Sequence, residues 1–165
     1  MKPNRDMNKD MVDITGEIVE ETNSILNERC TERYFEQIVL LYSFIENLLK
    51  WLVYIKILWD KAEKGSIVRQ LGKVRKFCKR LTFISALNMA YSINLIDFKL
   101  YEKLDSIREE RNDIVHQLWI YTHRDNRLVL RKKLEKLART TNELVGIFGK
   151  LTDEIGVDEV YDMFL

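Results

Sequence analysis

Three residues in this chain, Arg111, Asn112 and His116, have types and spacing that could do chemistry. An arginine is a permanent cation with a planar fork of donors, suited to holding an oxyanion. A histidine, with a reference pKa of about 6.5, exchanges protons near neutrality. An asparagine between them can orient either by hydrogen bonding. The position of Arg111 is itself unusual. Leu100, Leu104, Ile107, Ile114, Leu118 and Tyr121 recur at alternating steps of four and three, the apolar seam of a helix, and Arg111 fills the missing step between Ile107 and Ile114. A guanidinium there is costly unless a carboxylate pairs it or the seam meets another surface. At about 100° per residue His116 lies about 140° round the helix from Arg111, so the two do not share a face. His123, the second histidine, sits beside Arg124 in a polar stretch and reads as a loop residue.

No competing chemistry is written in the chain. It has no glycine-rich phosphate loop, no His-Glu-x-x-His, no serine in a nucleophile-elbow context, and no Cys or His pairs at metal-ligand spacing, so neither a metal nor a cofactor is expected. Cys30 and Cys78 stand far apart without a partnering pattern, which suits a reducing cytosol and a cytoplasmic location. A net charge of +1 excludes any claim from overall basicity, so only local charge can speak about partners. The charged N-terminal stretch from Lys2 to Asp13 does not resemble a signal peptide.

The elements that must position the three residues are helical. With 165 residues, 46% hydrophobic and 32% charged, a single proline and six glycines, the chain predicts one all-α domain over 1–165, an up-and-down bundle of five or six helices. Met7, Met11, Ile14, Ile18 and Ile25 trace the first seam, with Glu17, Glu20, Glu21 and Glu28 as a solvated face. Thr31 can cap the second helix. Its seam is Tyr34, Ile38, Leu41, Ile45, Leu48, Leu52, Ile55 and Trp59, and a further apolar line of Phe44, Trp51 and Leu58 makes it central. From Ile38 to Trp59 it is long enough to span a membrane, but Glu46, Lys50 and Lys56 interrupt it, so a core helix is expected and no membrane partner. Glu46, one residue past a seam position, could neutralise an arginine brought against it or pair locally with Lys50.

After Gly65, Ser66 can cap a third helix through Ile67, Leu71, Val74, Cys78 and Leu81, continuing as helix through Phe83, Leu87, Ala90 and Ile93 to a turn at Asn94. Its other faces are basic: Arg69, Lys73, Arg75, Lys76, Lys79 and Arg80, with no acidic residue from Ile67 to Leu95. Such a run suits a phosphate-tracking surface or a merely soluble helix face. Asp97 can cap the helix of the three residues, expected from Phe98 to about Tyr121. The polar stretch 122–126 follows, then a last seam of Leu130, Leu134, Leu137, Thr141, Leu144, Phe148, Leu151 and Ile155. That helix is basic early, while the tail turns acidic at Asp153, Glu154, Asp158, Glu159 and Asp162.

Arg111-Asn112-Asp113-Ile114-Val115-His116 resembles the signature of the HEPN superfamily: an arginine, usually followed by a polar residue, then a histidine four to six residues on. The context is similar too, with a long central helix carrying an internal acid (Ile45-Glu46-Asn47), a Leu71-Gly72-Lys73 segment, and the signature late in another long helix. The resemblance implies a metal-independent endoribonuclease acting as a homodimer, in which the signature helices of two protomers line one cleft. His116 would act as general acid or base for attack of a ribose 2′-hydroxyl on the adjacent phosphodiester. Arg111 would bind the phosphate and Asn112 fix orientation, with Glu46 in support. Arg69, Lys73, Arg75, Lys76, Lys79 and Arg80 would steer RNA if they face the cleft. Many members are toxins or abortive-infection effectors, some paired with an antitoxin, and others are inactive interaction modules. In one antitoxin-paired subgroup a tyrosine two residues after the histidine receives a modification; here Leu118 stands there, which speaks against that form of control. The alternative is therefore a HEPN-like helical adaptor or antitoxin-like binding module without activity.

Overall fold

A computed structural model of the chain is all helical, with six α-helices, one short 3₁₀ turn and no strand among the described residues. The structure describes residues 6–28, 31–63, 71–116 and 127–155; within these, the side chains of 6–13, 31, 62–63, 71, 115–116 and 152–155 are outside the description. The helices are α1 (Asp6–Glu28), α2 (Tyr34–Glu63), α3 (Leu71–Arg80), α4 (Phe83–Ser92), α5 (Phe98–His116) and α6 (Arg127–Ile155), with the 3₁₀ turn Thr31–Arg33 leading into α2. The expected caps at Thr31 and Ser66 fall on side chains outside the described set.

Helix α2 is the axle. Seven of its eight seam positions, Tyr34 to Ile55, are buried, and so are Tyr42, Leu49, Val53 and Leu58 on the flanks between. Burial over so wide an arc leaves room for every other helix to pack on it, and each does. α2 is long and apolar enough to cross a membrane by length and composition; in this structure most of its apolar surface is covered by protein, with Val39 and Leu40 left exposed, and Glu46, Lys50 and Lys56 are paired. Lys56 donates to Asp60 one turn on.

α5 and α6 run antiparallel, since Lys103 meets Glu143 while Lys136 meets Glu110. α6 runs parallel to α2: its residues Ala138 and Thr141 adjoin Leu41, and Phe148 packs against Ile55. The α6 seam is buried from Leu130 through Leu144 and again at Leu151, as its period requires.

Two local expectations are corrected. The third and fourth segments are separate helices, because the chain breaks at Leu81 and Thr82. Thr82 takes an extended backbone (φ −72°, ψ 164°), and its hydroxyl accepts from the Ser85 amide at 3.3 Å. A threonine that bonds a free amide of the next turn competes with helix continuation. In α1, Ile14 is 42% exposed, whereas Thr15, Thr22 and Ile25 are buried. The helix is rolled so that Thr22 Oγ1 donates to the Ile18 carbonyl and accepts from Gln37 Nε2 at 2.7 Å; this satisfied polar bridge, rather than the strict apolar stripe, sets the inward face.

The other caps follow the residue types. Asn94 ends α4 in the left-handed region (φ 53°), with Leu95 N–H donating to the Ala90 carbonyl and Asn94 N–H to that of Tyr91, a Schellman closure. Asp97 starts α5: its Oδ1 accepts from the Leu100 amide at 2.7 Å.

Candidate functional site

The seam of α5 is buried at Leu100, Leu104, Ile107 and Ile114, and at the missing step Arg111 leans onto α2. Its Nη1 donates to Glu46 Oε2 at 2.9 Å, while Lys50 Nζ donates to Glu46 Oε1 at 2.7 Å. One carboxylate thus holds two cations, one from its own helix and one from a residue 65 positions away. Both partners expected for Glu46 are present together. The burial is unequal: the Glu46 and Lys50 side chains are 17% and 16% exposed, but Arg111 is 40% exposed. The guanidinium is therefore anchored without being sealed, and the triad carries a net positive charge beside open solvent. Such a group can present its remaining donors to an oxyanion.

Asn112 is exposed next to it, one position off the seam. His116 is the last described residue of α5, and its side chain lies outside the described set. Arg69 is also outside it. Lys73, Lys76, Lys79 and Arg80 are exposed on α3, and Arg75 is partly buried. The described part of this run contacts α2 at a different place from Arg111. It meets α2 around Trp51 and Tyr54, whereas Arg111 meets α2 at Glu46. Tyr54 lies about 12 Å along the axis and about 80° round it from Glu46. The two cationic surfaces occupy neighbouring sides of the bundle.

Residue type alone did not pair the acid next to Arg111 with its cations. Glu110 turns toward α6, where Lys136 and Lys133 donate to it and Ser106 Oγ donates at 3.3 Å. Burial pushes its carboxyl up, but the Lys136 hydrogen bond and the charges of Lys133 and Lys136 outweigh that and hold it below the usual carboxylate range. Its capture by α6 leaves Glu46 as the carboxylate on Arg111 among the described residues. The α6 lysines were legible only as a basic stretch; that they meet Glu110 depends on how α5 and α6 lie against each other.

Elsewhere lies a groove of about 960 Å³ bounded by α1, α2 and α3. Its apolar lining includes Ile14 and Ile18 of α1 and Phe35, Val39 and Leu40 of α2, with Lys50, Arg75 and Lys79 toward one end. Burial pushes the Cys78 thiol and the Tyr54 hydroxyl on its walls above their ordinary values, so both are neutral at pH 7. Val39 and Leu40 fall outside the α2 seam, and that offset was the one sequence signal for an open apolar face. Among the described residues no group of three histidine, cysteine or carboxylate side chains converges to hold a metal ion.

Compared with known proteins, the chain matches no family model, and no curated protein or solved structure is similar to it at a significant level.

Proposed function

We propose that the chain is a metal-independent endoribonuclease of HEPN type, acting as a homodimer whose signature helices pair so that two Arg111–His116 sets line one cleft. The observation that carries it is the anchored but accessible guanidinium of Arg111, five residues before His116, in a signature that resembles that family. Arg111 holds a non-bridging phosphate oxygen and offsets the charge that builds as the ribose 2′-oxygen adds to phosphorus. Glu46 keeps the guanidinium oriented, and Lys50 takes up part of the carboxylate's charge so that the phosphate is not repelled. His116 takes the proton from the 2′-hydroxyl or delivers one to the departing 5′-oxygen. The P–O5′ bond breaks, leaving a 2′,3′-cyclic phosphate and a 5′-hydroxyl. Asn112 orients the substrate, and the α3 cations draw RNA to the dimer. A role in toxin or antiviral systems with an antitoxin partner, in the cytoplasm, accords with this chemistry.

The test is cleavage of end-labelled RNA by the purified full chain with chelator present. His116→Ala and Arg111→Ala each lower the rate by about 10²–10⁴-fold, with cyclic phosphate at the product ends. Cleavage that survives both substitutions overturns the proposal. A folded dimer that binds RNA or a protein partner but cleaves nothing favours the second reading, an inactive interaction module in which the Arg111–Glu46 pair serves only to staple α5 to α2.

A further inference from the structure

The groove bounded by α1, α2 and α3 is apolar along most of its length and cationic at one end. Ile14, Val39 and Leu40 line it while 42%, 47% and 39% exposed, and contiguous exposed apolar surface of this kind marks a binding site. From Phe35 to Tyr54 it follows about 28 Å of α2. The cations gather where α3 packs on α2. Arg75 and Lys79, one turn apart on α3, line that end with Lys50 of α2, and the Arg75 charge acts on the Tyr54 hydroxyl beside it. No acidic residue lies between Ile67 and Leu95, so α3 brings no carboxylate of its own to offset them. Glu46 is shared between Lys50 and Arg111, which leaves the local charge positive. Glu36, the one carboxylate among the described lining residues, stands about 21 Å from Lys50 along α2.

We propose that this groove binds one molecule of a single-chain amphiphile with an anionic head, of the fatty-acid class. The head meets Lys79 and Arg75, and the chain runs past Trp51, Phe44 and Leu40 toward Ile14. Size is the first support: about 960 Å³ lies within the range of roughly 300–1,000 Å³ usual for small-ligand sites. Polarity is the second, because the cations stand at one end only, whereas a partner helix brings polar residues along both edges of its apolar stripe. Midway, Asn47 directs its amide donor to the Ser43 carbonyl at 2.9 Å, so the middle of the groove stays largely apolar. The third is charge. A carboxylate or phosphate head accepts charge-assisted hydrogen bonds from a guanidinium and an ammonium, and the Cys78 thiol and Tyr54 hydroxyl, both neutral at pH 7, do not oppose it. Walls from three helices enclose a single chain, whereas a bilayer surface takes up the convex apolar face of a helix. The assignment does not rest on the cleavage reading.

The experiment is calorimetric titration of the purified full chain with decanoate, dodecanoate and tetradecanoate below their micelle concentrations. Binding is one-to-one, and affinity rises about two- to fourfold per added CH₂, fourfold corresponding to full burial. Dodecyltrimethylammonium, with the dodecyl tail and the opposite charge, binds at least about tenfold more weakly than dodecanoate. Lys79→Glu weakens decanoate several-fold and leaves decanol unchanged, which separates recognition of the head from damage to the fold. Val39→Glu, at an exposed position that leaves the core intact, puts a carboxylate into the apolar run and abolishes binding of both. A flat chain-length series, equal binding of the cationic amphiphile, or dodecanoate binding indifferent to Val39→Glu overturns the proposal. Adsorption to phosphatidylglycerol vesicles without one-to-one binding of dodecanoate overturns it in favour of a membrane-docking face. A concentration-dependent dimer that Val39→Glu dissociates and dodecanoate does not overturns it in favour of a second copy in the groove.

Discussion

Replacing Glu46 by glutamine keeps the shape of the side chain and removes the charge that two cations share. The cost divides unequally. Lys50, 16% exposed, cannot recover water without moving, so its ammonium is left nearly buried with no anion, a loss of about 1–3 kcal/mol. Arg111, 40% exposed, recovers hydration on its open side, and a pair screened to that degree contributes about 0.2–1 kcal/mol. Glu46→Gln is therefore expected to destabilise by about 2–3 kcal/mol, which in a domain of this size lowers Tm by roughly 4–12 °C. Urea unfolding followed by helical circular dichroism measures it, and double-mutant cycles with Lys50→Met and Arg111→Gln apportion it. The expected coupling is about 1–2 kcal/mol for Glu46 with Lys50 and about 0.5 kcal/mol, falling with salt, for Glu46 with Arg111. A Glu46–Arg111 coupling above about 2 kcal/mol, insensitive to salt, would mean that the guanidinium behaves as a desolvated staple. That result would refute the picture of an arginine available to substrate.

Two further outcomes rest on the fold. Thr82→Ala removes the acceptor for the Ser85 amide at the start of α4 and is expected to cost about 1 kcal/mol, whereas Thr82→Ser keeps most of that stability; thermal melts of the pair decide it. Glu110, whose carboxyl is held low chiefly by Lys136 and Lys133 against the cost of burial, stabilises the fold above the ordinary carboxylate value, and this contribution is lost as pH falls through its depressed folded value. Lys136→Met should therefore lower stability at neutral pH and flatten the acid limb of a pH–stability profile; an unchanged acid limb would contradict the assignment.

Much of this was legible in the sequence, for local reasons. Seams of period 3.6 with almost no glycine or proline between them leave the backbone little but helix, and polar residues able to bond free amides mark where helices begin and end. Thus Asp97 and Asn94 stand where a start and a turn were expected, and α2 is central because its apolar residues cover more than one face. Arg111 and the acid at Glu46 were also readable as a pair, since a charge at a seam position calls for a partner. What only the tertiary structure decided is which groups meet across helices. Glu110 is the acid next to Arg111 in sequence, yet the approach of α6 gives it to Lys136 and Lys133, while Arg111 meets Glu46. The roll of α1, set by the Thr22–Gln37 bridge, turned Ile14 outward and opened the groove, a consequence of side-chain hydrogen bonding that periodicity cannot encode. Position along one helix is a local property of the chain, whereas the rotation and register of helices against each other depend on contacts between residues far apart in sequence.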